Sequence, residues 1–415
     1  MIHTFELQKQ ITPEEVKRII SRCSFHTSYS AKNDTIFYTT KEFRDMGINE
    51  VTIMKLPSQA EMGYDFFIRL VVNPSVITPP VNAQVEKEDA RNYPTGINAF
   101  SELYIFSLYD YLYSIFPELN AHRSKASLTG ICKVEDIRRK EALYNEWHED
   151  NYHSFMLNRI DYTFDISLCP QEYLTLLNRG YKLTRAELKE FEHEYGAQNV
   201  DAKNKSIEFK IYDKERQLKE TMGASSVIAQ KHPVLRIELS MLKPKMYDVR
   251  NRRQKQVERT LFDFADADIG FEYVEKYLTM IAGSGDYVDY DTAIGIIDNS
   301  EYSNNIKLKL KALVLAITKH RGIETYLKTL TRQKKPTVET VKKHLKMIHA
   351  LGINPVTISK KGFENVPSDN GVRFLPSLLK IVRAYYHAES PDFTEDGEYK
   401  DMDKWVKVIE EHEEY

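Results

Sequence analysis

Three short runs of the chain alternate apolar and polar residues with a period of two: LNRIDYTFDISL (157–168), SIEFKIYDK (206–214) and VLRIELSML (234–242). Only an extended strand sends every second side chain to the same face, so the runs demand a β-sheet. Ile160, Tyr162, Phe164 and Ile166 share one face of the first run, opposite Arg159, Asp161, Thr163 and Asp165. Ile207, Phe209 and Ile211 of the second oppose Glu208, Lys210, Tyr212 and Lys214, and Leu235, Ile237 and Leu239 of the third oppose Arg236, Glu238 and Ser240. If the three share a sheet, one surface gathers carboxylates, cations and a tyrosine. A polar face in water is the ordinary outcome for an antiparallel sheet, and the alternation alone leaves that open beside a chemical role.

The flanking residues supply helix signals. Thr12-Pro13-Glu14-Glu15 joins an N-cap hydroxyl, Pro at the first helical position and Glu at the third, which predicts a helix through about Cys23. TIFYTT (35–40), EVTIMKL (50–56) and YDFFIRLVV (64–72) read as further strands. Pro170 opens a helix closed by Gly180, and Thr184-Arg185-Ala186-Glu187 is a capping box. The tyrosine-rich run 100–116 reads as a helix packed into its domain. Helical periodicity then dominates at 250–264, 272–281, 302–318 and 338–351, with GSGDYVDYDT (283–292) as an exposed connection. The expected fold is α+β: an antiparallel-sheet core with helices on one face, followed by a mainly helical C-terminal region. The expected divisions are 1–135, an N-terminal α+β half; 136–265, the catalytic core; 266–388, basic helices; and 389–415, an acidic tail.

Charge refines that division. The 415 residues sum to -3, yet 389–415 holds eleven Asp/Glu against three Lys/Arg, which leaves +5 on the body. Residues 302–346 alone carry twelve Lys/Arg against Glu324 and Glu339. Such a concentration suits phosphate contact and a nucleic-acid partner. Three dispersed cysteines and no CxxC argue against a disulfide framework and for a reducing compartment. The start of the sequence lacks a basic and apolar leader and no run approaches a membrane span, so a cytoplasmic protein without membrane contact is expected.

Asp161 and Glu238, with Asp165 as a third, are hard oxygen ligands of the kind that hold Mg2+ or Mn2+. A tyrosine such as Tyr212, with a phenol pKa near 10, is a weak nucleophile until a metal or base favours the phenolate. Lys214 could stabilise phosphate or phenolate charge. Together these parts suit transesterification of a phosphodiester.

In order and spacing, LNRIDYTFD, IEFKIYDKE and VLRIELSM resemble the motifs of rolling-circle replication initiators. The likeness is to the gene II replication proteins of filamentous phages, the initiators of small Gram-positive plasmids, and the related relaxases. It covers roughly 157–245, with looser similarity in the basic segment that follows. The resemblance implies a nicking tyrosine at Tyr212 with Lys214 two residues on, metal ligands at Asp161 and Glu238, and a second acidic position at Asp165. It further implies cleavage of one strand at a double-strand origin, a 5′-phosphotyrosine link, extension of the 3′ end by a host polymerase and rejoining of the displaced strand. No GxxxxGK[ST] loop is present, so a host helicase would unwind the duplex. A relaxase, or an origin-binding regulator without catalysis, are the alternative functions. His148 and His153 are candidate additional ligands, and HExxH and GxSxG are absent.

Overall fold

The structure, a computed structural model, describes residues 2–57, 64–77, 102–120, 155–166, 169–180, 192–195, 199–214, 216–217, 234–253, 259–330, 336–359, 363, 366, 368–369 and 372–387. The capping box at 184–187, His148, His153 and the acidic stretch 389–415 lie outside the described residues. The chain is α+β, with its helices mostly in the C-terminal half. Elements run β1 (Ile2–Ile11), α1 (Pro13–Ile20), β2 (His26–Ser30), β3 (Thr35–Thr40), β4 (Ile48–Pro57), β5 (Tyr64–Val72), α2 (Pro74–Ile77), α3 (Glu102–Ile115) and β6 (Met156–Ile166). Next come α4 (Pro170–Arg179), β7 (Glu192–Tyr195), β8 (Asn199–Lys203), β9 (Ile207–Asp213), β10 (Leu235–Leu242), α5 (Lys243–Arg252), α6 (Leu261–Phe264) and α7 (Ala267–Ala282). The last are β11 (Tyr287–Val288), α8 (Tyr290–Asn299), α9 (Asn304–Lys319), α10 (Ile323–Leu330), α11 (Val338–Ala350), β12 (Ser368–Asp369), β13 (Val372–Leu375) and α12 (Leu378–His387).

Ten strands form one sheet in the order β2-β3-β4-β5-β1-β6-β10-β9-β8-β7, and β11-β13-β12 form a second. The three alternating runs are therefore neighbours, with β10 between β6 and β9. Contacts divide the chain into two compact units. One comprises Met1–Thr163, Lys205–Glu208 and Glu238–Gly270; the other comprises Phe164–Asn204, Phe209–Ile237 and Phe271–Tyr415.

In the first unit β1 pairs antiparallel with both β5 and β6. Its Phe5 and Leu7 are wholly buried, opposite Ile160 and Leu157 of β6. A fully buried side chain of this size contributes about 2 kcal/mol by removal from water. The capping box opens α1 as forecast: Glu15 N donates to Thr12 Oγ1 at 3.2 Å and Thr12 N to Glu15 Oε2 at 2.6 Å. The helix closes at Ile20, short of Cys23, where the Ser21 hydroxyl caps the Arg18 carbonyl at 2.7 Å. The tyrosine-rich run is the packed helix α3, its Tyr109 ring stacked 5.8 Å from Phe155. Tyr162 donates to the Phe264 carbonyl at 2.6 Å. Gly270 lies against that ring so closely that a Cβ there would stand 2.4 Å from Tyr162 Cδ1.

In the second unit Tyr173 of α4 is wholly buried and donates to the Pro376 carbonyl at 2.7 Å, while Phe209 meets Tyr277 at 6.2 Å between ring centres. The stretch 283–292 is no exposed connection. Tyr287 and Val288 form buried β11, and the buried Asp286 accepts from Ser377 N at 2.8 Å and Lys380 Nζ at 2.9 Å. Its backbone exchanges hydrogen bonds with Gly352 O and Asn354 N, so protein groups replace water around a sequence that reads as polar. Helices α8 and α11 start on the side chains of Asp289 and Thr337, and Gly352, with φ 77, ends α11 in the left-handed conformation that glycine favours. The single helix expected at 250–264 is instead α5, begun by Pro244, and the separate turn α6.

Candidate functional site

Most side chains opposite the apolar face of β6 and β10 are not in water. Asp161 and Thr163 are each 1% exposed, Arg236 3%, Glu238 8% and Ser240 0%. In β9 the matching Glu208, Lys210 and Tyr212 are half-buried. A buried polar row has to satisfy itself internally, and its charged members do so with ion pairs.

In the first unit Arg159, two residues before Asp161 and thus on its face, grips that carboxylate with both forks. Nε donates to Oδ1 at 2.7 Å and Nη2 to Oδ2 at 2.6 Å. Burial pushes the Asp161 carboxyl above its ordinary range, the Arg159 hydrogen bond and charge oppose that, and the charge of Glu238 adds to it. Arg159 feels Glu238 and Glu208 as well, so these four ionisable groups form one electrostatic cluster. Among the described residues Thr163 Oγ1 is buried there without a hydrogen-bond partner. Asp161 and Glu238, the two expected ligands, are thereby brought within electrostatic reach of each other. A carboxylate such as Asp161, whose anionic form burial and the charge of Glu238 disfavour, is suited to an oxygen-liganded divalent cation, which would relieve both effects.

The second unit holds the other candidates. Asp165 accepts from Arg236 Nε and Nη2, each at 2.6 Å, so each of its oxygens is engaged by a guanidinium. Among the described residues no three His, Cys, Asp or Glu side chains are gathered into a metal-binding group. Tyr212 is the penultimate residue of β9. Lys214 has left the strand for a helical turn, yet its Nζ lies 6.0 Å from the Tyr212 ring centre and donates to Gln217 Oε1 at 2.8 Å. Asp213 fixes that turn: its Oδ1 accepts from Arg216 N at 3.1 Å and its Oδ2 from Gln171 Nε2. Neither the Asp213–Gln171 link nor the Arg159 clamp is anticipated from the motifs, although the Arg-x-Asp spacing on one strand face carries the signal for the latter.

The basic helices are largely solvent-facing. Lys309, Lys319, Arg321, Lys328, Lys343 and Lys346 are exposed. The His344 imidazole is held below its ordinary pKa by burial and then by the charges of Lys309 and Lys343, which shows α9 and α11 presenting cations together. Lys311 is spent on Asp298 at 2.6 Å, and Arg332, Lys334 and Lys335 lie outside the described residues. Arg259, outside that segment, is buried 5.2 Å from the Tyr247 ring and donates to Asn158 Oδ1 at 3.2 Å, which removes it from the surface.

No family model and no curated protein matches the chain. Among solved structures it has a slight likeness to the di-domain ARO/CYC BexL from the BE-7585A biosynthetic pathway, at 7% identity and a TM-score of 0.19, over 67% of this chain and 94% of that one. At that score the likeness informs neither fold nor chemistry.

Proposed function

We propose that the chain is a replication initiator that nicks and rejoins one DNA strand at an origin, with Tyr212 as nucleophile. The observation that carries this is the adjacency of the three motif strands, β6-β10-β9, in one sheet. The carboxylates Asp161 and Glu238 are buried in the first unit, and in the second Lys214 stands by the Tyr212 ring. In the reaction the Tyr212 oxygen attacks phosphorus, the bond from phosphorus to the 3′ oxygen breaks, and the phenolic proton reaches that oxygen through solvent. Lys214 stabilises the developing phenolate and phosphate charge. Asp161 and Glu238 would hold Mg2+ or Mn2+, which supplies polarisation of the phosphate oxygens when bound. Arg159 orients Asp161, and the cations of α9 and α11 contact the phosphate backbone. Origin DNA is then the substrate, with host helicase and polymerase acting after the nick.

A second function is favoured by one specific feature: Asp161 and Asp165 are each already neutralised by a guanidinium. A core of that kind is stable without a cation, as in an origin-binding regulator that does not cut. One comparison separates the two. Supercoiled plasmid carrying the DNA that flanks the gene is incubated with Mg2+ or Mn2+ and either wild type or Tyr212→Phe. Nicking requires relaxed circles with protein on a 5′ end from the wild type alone, with binding retained by the variant. Equal products from both proteins would overturn the catalytic role of Tyr212.

A further inference from the structure

A cavity of about 430 Å3 lies within the second unit, and Arg179, Arg321, Asp289, Asp291, Ile317 and Ile358 are among the residues that line it. Its volume falls in the range of small-ligand sites, roughly 300–1,000 Å3. Arg179 is the last residue of α4, with its guanidinium 5.5 Å from the Phe363 ring centre. Arg321 follows the end of α9. The two guanidiniums are close enough that burial and then the charge of Arg321 hold Arg179 below its ordinary pKa. Among the described residues neither guanidinium has an ion pair or a hydrogen bond, and Asp289 and Asp291, which also line the cavity, do not pair with them.

The backbone is arranged to keep Arg321 in place. Gly322 N donates to Ile317 O at 3.0 Å, the long hydrogen bond of a helix end whose left-handed position ordinarily carries glycine. Here that position is Arg321, at φ 57, and the glycine comes one residue later at φ 150. A Cβ on Gly322 would meet Arg179 O at 3.0 Å, so close passage of the two segments accounts for the glycine. It does not account for an arginine in a conformation that L-residues disfavour by about 1 kcal/mol. Two guanidiniums without an ion partner among the described residues, one on a left-handed backbone, therefore line a cavity that also holds apolar side chains and two carboxylates.

We propose that this cavity binds a nucleotide unit, with Arg179 and Arg321 on its phosphate and Asp289 and Asp291 accepting from sugar hydroxyl or base amino groups. Paired guanidiniums match phosphate oxygens through charge-assisted hydrogen bonds, and carboxylates accept from those donors. The unit can be a free nucleotide or one residue of a DNA strand. The proposal does not rest on the nicking activity.

The test is equilibrium binding by the full chain of deoxyadenosine 5′-monophosphate, inorganic phosphate and a short labelled single-stranded oligonucleotide. Wild type is compared with Arg179→Ala and Arg321→Gly. The glycine variant relieves the backbone, so it should melt no lower than wild type, and Tyr212→Phe serves as a variant that leaves the cavity intact. Loss of about tenfold in mononucleotide affinity in both arginine variants, with phosphate competing, supports a free nucleotide. Loss of about tenfold for the oligonucleotide alone, with a salt slope smaller by about one, supports a strand residue. Unchanged affinity for all three probes in folded Arg321→Gly overturns the proposal. If Tyr212→Phe alters nicking but not binding here, the two sites fail or stand separately.

Discussion

Strand β6 carries two carboxylates four residues apart, each held by an arginine through two hydrogen bonds, and the two pairs are inside out relative to each other. In the first, the Asp161 side chain is 2% exposed and its partner Arg159 36%; in the second, Asp165 is 15% exposed and its partner Arg236 3%. The acid is the buried member of one pair and the base of the other. A buried acid can escape an unfavourable setting by taking up a proton, whereas a guanidinium stays charged at any pH a protein survives. The buried member is therefore adjustable at Asp161 and fixed in charge at Arg236, which suits the first pair to a changing charge environment and the second to anchoring the sheet.

The largest effect should come from the fixed pair. Asp165→Asn removes the bidentate partner of a buried cation and should cost about 3 kcal/mol in urea unfolding at pH 7. Arg159→Ala should cost about 2 kcal/mol at pH 7, less because solvent reaches the vacated side. The Asp161 carboxyl then lies further above its unfolded value. Its penalty is present above the folded pKa and fades as falling pH protonates it, so the cost should shrink toward pH 4. A pH-independent cost would break the contrast between the pairs. Lys9 sharpens it from the basic side: 4% exposed and donating to the Leu119 carbonyl at 2.6 Å, it is lowered by burial to about 8. Below pH 8 the folded chain carries the whole cost of this buried charge. Between about pH 8 and 10.5 the unfolded chain binds more protons, so stability rises with pH. Lys9→Met should be more stable than wild type at pH 7 by about 1 kcal/mol, after loss of the hydrogen bond, and the gap should narrow by pH 10. A constant gap would show that Lys9 does not titrate in that window.

Much of the sheet is legible in the sequence because alternation reports faces directly. The runs at 35–40 and 64–72 coincide with β3 and β5, that at 157–168 covers β6 but for its first residue, and those at 206–214 and 234–242 contain β9 and β10. Alternation does not report what covers a face, which is why a row that reads as solvated is buried at Asp161, Thr163, Glu238 and Ser240. Strand β1 escapes notice for a related reason: Thr4 and Lys9 point into protein, so its pattern of burial is not its pattern of hydropathy. The arginine cavity is invisible in one dimension, since Arg179 and Arg321 come together only through the close passage at Gly322.

The place of β1 in the sheet also sets a clock. It lies between β5 and β6, and β6 begins at Met156, so during synthesis one edge of the strand stays open while roughly 145 residues are added. At about 5–20 residues per second that is on the order of ten to thirty seconds in which Phe5 and Leu7 lack their β6 neighbours and an unpaired strand edge is available to other chains. Yield of folded protein should accordingly depend on translation rate and on chaperones that shield the nascent edge.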